Sequence, residues 1–530
     1  MLRYSVFYII AVLAVAFAHL ARESGHNYYW AFSILGPLAL LGIWDLVQTR
    51  HSVLRNYPII GHLRWLFEEI RPELRQYFFT GDKEEEPFNR DQRSLVYQRA
   101  KDVEDNTPFG TKLDVYEENY AWLNHSMAPK PISEAACRTL VGGPDCKQPY
   151  SASVLNISAL SFGALSGNAI AALNKGARLG NFAHDTGEGS ISRYHRSGGG
   201  DLIWEIGTGY FGCRKEDGSF CADTFAARAS EEQVRMIEIK LSQGAKPGHG
   251  GILPGAKVTP EIAEARDVPQ GQDVISPPAH SAFSTPIQMM EFIAVLREKS
   301  GGKPVGFKLC VGHRWEFMAL CKAMIETGIA PDFIVVDGSE GGTGAAPLEF
   351  TDHIGTPLVD GLAFVQNALV GSGLRGKISV AASGKVISAF DMVKLMSLGA
   401  DWVNAARAFM FAVGCIQSQA CHTNRCPTGV ATQDKRRQAA LDVDDKAKRV
   451  FNYHRNTIHA LTEVLSSAGL ASPEDLRREH FWVRDGDSIA HPAEERGQWI
   501  AQGSLLDGSA FDRIMRYWNM AQADTFAPKN

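Results

Sequence analysis

The spacing of apolar positions changes along this chain, and each change predicts a different kind of element. Residues 5 to 20, SVFYIIAVLAVAFAHL, are almost wholly apolar, and Trp30 to Val47 is a second apolar run broken only by Ser33, Gly36, Pro37, Gly42 and Asp45. Each approaches the roughly 20 residues a helix needs to cross a bilayer. A cleavable leader competes for the first run, because Ala16 and Ala18 offer a small-x-small site, but a leader needs no second span so soon after it. A buried pair of core helices is the other alternative. Arg3 precedes the first run and Arg50, Arg55 and Arg64 follow the second, while the connector is nearly neutral and carries Tyr28, Tyr29 and Trp30. That arrangement predicts a transmembrane hairpin over 1–50 with both ends cytoplasmic.

Residues 51–150 mix aromatics, charges and prolines, with an acidic run from Asp82 to Glu86 that reads as a solvated loop. This stretch is expected to be a connector packed on the outside of the domain that follows. From Ser153 short apolar strands alternate with helical segments, the mark of βα units and a parallel sheet. SVLNISAL, NFAHDTG, VGFKLC, FIVVDG, KISVAASG and DWVNAARA read as strands, and SGNAIAALNKGARLG as a helix. A doubly wound sheet is the rival topology. A (β/α)8 TIM barrel over 151–433 is preferred, because glycine-rich and polar signals follow many strands rather than one switch point. Beyond Gln433 the run to Leu470 is amphipathic at helical spacing with Gly469 as a stop, so 434–530 reads as a helical extension.

Composition narrows the function classes. A net charge of -5 over 530 residues argues against a nucleic-acid partner, which would require a basic face. Fifty glycines imply many tight turns and close backbone approaches. Nine cysteines in so long a chain do not form a disulfide framework.

Three of those cysteines stand apart. Cys415, Cys421 and Cys426 are spaced C-x5-C-x4-C, with Pro427 after the last. Thiolates suit iron–sulfur clusters, zinc or copper(I), and a proline after the final cysteine recurs in iron–sulfur runs. Zinc with His422 as fourth ligand is less apt, because zinc sites favour shorter spacings and adjacent residues reach one tetrahedron poorly. Cys137, Cys146, Cys213, Cys221, Cys310 and Cys321 read as small buried hydrophobes.

Barrel phosphate sites are built from the loops after the seventh and eighth strands. Here those loops carry Ser383, Gly384 and Lys385, then Ala406 and Arg407, while Gly341, Gly342 and Thr343 follow the preceding strand. Glycine turns leave backbone amides open to a phosphate, and an arginine adds bidentate charge. Lys308, at the end of VGFKLC, aims a cation toward the face where barrel chemistry occurs. Glu188 and Lys246 fall on neighbouring loops, a carboxylate and an ammonium able to hold a keto acid and manage the proton of an imine if burial tunes them. No G-x-G-x-x-G follows a strand with an acidic partner, so no nicotinamide-binding domain is found.

CHTNRCPTGVATQ, DGSEGGTGAAP at 337–347 and QGAKPGHGGILPG at 243–255 together resemble the flavin-binding synthase domain of glutamate synthase, in the same order from about Ser153 to Gln433. The resemblance implies FMN and a [3Fe-4S] cluster. By resemblance Cys415, Cys421 and Cys426 are the cluster ligands. Ser161 joins the FMN pocket, Lys308 takes the flavin-ring position, and Glu188 and Lys246 belong to the 2-oxoglutarate site. The family motif usually reads KPGEGGQ, whereas this chain reads KPGHGGI, so His249 replaces a glutamate and Ile252 a glutamine that helps bind the keto acid.

The reading as a whole is a membrane-anchored oxidoreductase of the glutamate synthase type. Ammonia or an amine condenses with 2-oxoglutarate or a relative, and reduced FMN reduces the imine with electrons from a donor protein. The chain carries Leu2 where a glutaminase would use an amino-terminal cysteine, so ammonia is expected free or from a partner. The expected place is the inner, cytoplasmic membrane with the catalytic domain facing the cytoplasm. Other readings are a flavoenzyme for another keto acid or imine, a membrane subunit passing electrons to quinone, or a non-catalytic scaffold.

Overall fold

The computed structural model describes residues 2–24, 28–84, 86–253, 255, 258–344, 346–486 and 489–529. The chain divides into two compact units, Met1–Asp91 and Gln92–Asn530. The division falls inside the stretch expected to be one connector.

In the first unit, helices Ser5–Ser24 and Tyr29–Val47 contain 20 and 19 residues. At 1.5 Å per residue each is about 30 Å long, the thickness of a bilayer's hydrocarbon core. Val12, Val15, Trp30, Leu40 and Val47 point outward, each about two-thirds exposed or more. By length and composition both helices can cross a membrane. Further helices follow at Ser52–Asn56 and His62–Leu74.

In the second unit eight parallel strands close on themselves. They are β1 (Leu155–Ile157), β2 (His184–Asp185), β3 (Leu202–Ile206), β4 (Val234–Lys240), β5 (Val305–Leu309), β6 (Phe333–Asp337), β7 (Ser379–Ser383) and β8 (Trp402–Ala405). The expected barrel is therefore present, and β8 pairs back onto β1 through Val403 opposite Leu155. β1, β3, β5 and β8 are buried throughout, as strands covered by helices on one side and filling the barrel on the other must be. A hairpin of Arg138–Val141 with Tyr150–Ser153 leads into β1. Its turn is held at the amino ends of β5 and β6, where Gly143 donates to Asp332 Oδ1 at 2.7 Å and Lys147 to Gly302 O at 2.8 Å. That closes the bottom of the barrel and leaves the carboxyl mouth for chemistry.

The 25-residue helix Val443–Ser467 packs along Gly167–Gly180. Its His454 Nε2 reaches Ser153 Oγ at 2.9 Å and Leu155 O at 3.1 Å, tying the extension to the first strand. The tail adds the strand Phe481–Arg484, which pairs with Ala121–Leu123. Residues on either side of the barrel in sequence thus complete one small sheet.

Candidate active site

The three segments expected to cradle an anion, two of them glycine-bearing, do follow successive strands at one mouth. β6 runs into Gly341, Gly342 and Thr343, β7 ends at Ser383 before Gly384 and Lys385, and β8 is followed by Ala406 and Arg407. Ser383 Oγ lies 3.2 Å from Ser158 Oγ, over the end of the intervening β8. A Cβ on Gly342 would meet the Arg407 guanidinium at 3.0 Å, so the bare backbone and the cation share one small space. Gly244, after β4, has no freedom at all: a Cβ there would run into the Gly338 carbonyl oxygen. Its amide donates to Asp337 Oδ2 at 2.6 Å, so the loops after β4 and β6 close over each other. Ser161 lies against the next loop, where a Cβ on Gly187 or Gly189 would come 3.0 Å from its Cβ.

Glu188 and Lys246 line one narrow cleft together with Lys240, Thr208, Gln243 and His249. About 30 Å³ of it is open to water, room for about two molecules. Lys240 Nζ donates to Glu188 Oε2 at 2.9 Å, with side chains 12% and 29% exposed. That ammonium, with help from Arg266 and Lys246, outweighs burial and pulls the Glu188 carboxyl down to about 2. Burial pushes the Lys246 ammonium below its ordinary value, with Lys240 adding in the same direction. Lys246 Nζ donates to Gly250 O at 3.2 Å. Three cations around one carboxylate leave the cleft electropositive, suited to a small molecule carrying carboxylates. His249 stands at the rim, its ring edge-on to Phe350 at 4.9 Å and 79°, its Nδ1 donating to Gly250 O at 2.6 Å. Ile252 falls in the strand Gly251–Leu253, but its side chain lies outside the described residues.

Lys308 occupies a different place from the open mouth. It is 3% exposed inside the barrel, where its ammonium pairs with Glu205, with Glu238 Oε1 at 3.0 Å and with Asp185 Oδ2 at 3.6 Å. Burial raises the Asp185 carboxyl to about 7 against the pull of Lys308, and raises Glu238 well above the carboxylate range. Burial also opposes the Lys308 charge, but the surrounding carboxylates overcome it and lift the ammonium well above its usual value. Among the described residues these three acids are the group gathered closely enough to share one ion, and Lys308 supplies the charge there.

Sequence reasoning missed Asp185, Glu205, Glu238 and Lys240. A signal existed: LIWEI and VRMIEIK place Glu205, Glu238 and Lys240 within strands whose only other charge is Arg235, at positions that face inward once a barrel closes.

The cysteine segment reaches the same mouth. A Cβ on Gly344 would lie 3.8 Å from Cys421 Cβ, and Tyr97 Oη donates to Cys415 O at 2.7 Å. Burial raises the Cys415 thiol to about 11. Burial also opposes ionisation of Cys426, but the Thr428 hydroxyl and the amides of Ala431, Thr428 and Val430 donate toward its sulfur and bring it below its ordinary value. Such donors are what a cluster-ligating thiolate needs. Of the other six cysteines, Cys137, Cys213, Cys310 and Cys321 are buried, and all nine are free thiols.

A closed parallel barrel with glycine turns, a tuned carboxylate–lysine cleft and a cysteine segment at its carboxyl mouth is the arrangement of a barrel enzyme. Comparison with known sequences makes that specific. Residues 137–471 match the model described as the conserved region in glutamate synthase. The chain is 38% identical over 490 residues to the glutamate synthase large subunit-like protein YerD of Bacillus subtilis, covering 85% of this chain and 93% of that one. It is 35% identical to an archaeal-type glutamate synthase [NADPH] of Thermotoga neapolitana, over 60% of each chain. With an archaeal glutamate synthase [NADPH] of Methanocaldococcus jannaschii it shares 34% identity, over 68% of this chain and 66% of that one. The chain therefore belongs to the glutamate synthase family of oxidoreductases, and spans about two-thirds or less of the length of these two archaeal-type relatives.

Proposed function

We propose that the protein is an FMN- and iron–sulfur-dependent oxidoreductase that reduces the imine of 2-oxoglutarate, or a related keto acid, with ammonia or an amine. The observation that carries this reading is the cleft in which Glu188, Lys240 and Lys246 meet, on a β4 loop whose Gly244 touches the loop after β6.

The bare backbone beside Arg407 and the donors around Cys426 support both cofactors. Arg407, with the backbone around Gly341, Gly342, Thr343, Gly384 and Lys385, would hold the single phosphate of FMN, and Ser383, Ala406 and Ser161 complete the walls. Cys415, Cys421 and Cys426 would hold a [3Fe-4S] cluster, with the donors near Cys426 stabilising its thiolate. Bound at this mouth, FMN would supply the hydride for imine reduction.

In the cleft, Lys240 and Lys246 attract the carboxylates of the keto acid and fix its orientation, with the buried Arg266 adding positive charge from behind Glu188. Lys246, with its lowered affinity for a proton, can give a proton to the carbinolamine oxygen as water leaves. Glu188, held ionised by Lys240, orients that ammonium and stabilises the iminium. Gly244 draws the loops after β4 and β6 together on one side of the site. Electrons come from a donor protein, and ammonia is free or delivered by a partner. Helices Ser5–Ser24 and Tyr29–Val47 anchor the chain as a hairpin in the cytoplasmic membrane, with the barrel on the cytoplasmic side.

The test is anaerobic reduction of the purified full chain, followed by 2-oxoglutarate and ammonium while flavin reoxidation is monitored. Reoxidation with formation of glutamate is expected. Reoxidation only by quinone or by another keto acid would refute the glutamate assignment.

A further inference from the structure

Helix His62–Leu74, HLRWLFEEIRPEL, continues through a wider π-helical turn at Arg75–Phe79, and none of its residues is buried. A surface helix ordinarily turns its apolar stripe toward a core. Here Leu63, Phe67, Phe78 and Phe79 are 46%, 59%, 76% and 78% exposed. A shallow groove runs along the helix, walled by Leu63, Phe67 and Phe79 and lined by the three cations Arg64, Arg71 and Arg75 against one carboxylate, Glu68. Contiguous exposed apolar surface with a charged rim marks an interaction site.

Its position in the first unit selects the occupant. His62 Nε2 lies 2.9 and 3.1 Å from the two carboxylate oxygens of Asp45, and the Ile59 amide donates to Asp45 Oδ2 at 2.8 Å. Asp45 is fully buried and two residues from the end of Tyr29–Val47, so about 3 Å of helix remains beyond it. These bonds pin the first residue of the amphipathic helix to the end of the second apolar helix. With that helix spanning a bilayer, the groove lies at the level of the lipid headgroups. Apolar and aromatic side chains beside arginines are the composition of helices that lie in that layer, and juxtamembrane cations attract anionic lipids.

We propose that residues 62–79 lie in the membrane surface and bind an anionic phospholipid. Its acyl chain would rest against Leu63, Phe67 and Phe79 and its phosphate against Arg64, Arg71 and Arg75. This rests on the membrane-hairpin reading, and the experiment separates the two. The full chain is made with the photocrosslinker benzoylphenylalanine at Phe67, at Phe78 or, as a control, at the exposed Tyr116, and irradiated in native membranes. Phospholipid adducts are expected at the first two positions and not at the third. Native mass spectrometry of the purified full chain should show phosphatidylglycerol retained over phosphatidylcholine by about tenfold, and a chain carrying Arg64→Glu, Arg71→Glu and Arg75→Glu should lose that preference. Circular dichroism unchanged in that variant verifies folding. Adducts to protein in place of lipid, or equal retention of both lipids, overturn the proposal. A chain stripped from membranes by an alkaline wash sinks the hairpin reading, whereas a chain that stays but yields no lipid adduct at Phe67 overturns the groove alone.

Discussion

Lys308 and Lys240 are register partners on adjacent strands β5 and β4, yet the barrel interior and the barrel mouth use them in opposite ways. Inside, Lys308 is enclosed by Asp185, Glu205 and Glu238, two of which burial pushes toward the protonated form. At the mouth, Lys240 donates to Glu188 and holds it ionised, with Glu205 also acting on its charge and with Lys246 and Arg266 near enough to Glu188 to leave positive charge over. The interior is electrically self-sufficient and closed. The mouth is electrically incomplete, and a carboxylate-bearing substrate would complete it. The same ammonium group one strand over thus changes from part of a scaffold to part of a receptor.

Variants that disturb one region and spare the other sharpen this contrast. The largest effect is expected from Glu188→Gln, which leaves Lys240 without its carboxylate. Turnover should fall by about 10²- to 10⁴-fold, read as the rate of flavin reoxidation by 2-oxoglutarate and ammonium. A loss under about tenfold would remove Glu188 from the chemistry. Lys308→Met leaves three buried carboxylates without a cation and should cost about 3–5 kcal/mol in urea denaturation. If Lys240→Met cost as much, interior and mouth would not differ as described. Gly244→Ala forces apart the loops after β4 and β6 and should cost about 1–3 kcal/mol, seen as a lowered urea midpoint.

The smallest effect is a pH slope whose sign differs between the regions. The Asp185 carboxyl is raised to about 7 from 3.8, so its contribution to stability is complete below about pH 4 and is lost as pH rises through about 7. Asp185→Asn should flatten that fall, by at most about 1.4 kcal/mol per pH unit, in urea midpoints compared at about pH 5 and about pH 8. Glu188, lowered to about 2 from 4.5, stabilises above its unfolded value and loses that contribution as pH falls toward 2. An unchanged slope in the Asp185→Asn chain would place the interior titration elsewhere.

Much of this is legible in the chain itself. Strand-and-helix alternation with glycines after many strands predicts the barrel, and the turns after β6, β7 and β8 fall where that pattern puts them, although β3 and β4 escape recognition as strands. Those two hide because LIWEI and VRMIEIK break a buried apolar run with acids and a lysine, which reads as surface until something shows that the charges face each other. The two-residue β2 carries little periodic signal of its own.

By itself, then, the sequence determined the alternation of elements, the glycine turns, the spacing of Cys415, Cys421 and Cys426, and the two apolar runs ahead of residue 50. Each depends on neighbours a few positions apart, and local spacing records such relations directly. Only the tertiary structure decided that Asp185, Glu205 and Glu238 from three strands would gather on Lys308, that Lys240 would claim Glu188, and that the first unit would end at Asp91. Those pairings follow from how a closed sheet sets the register between strands, and register is a property of closure that no single segment carries.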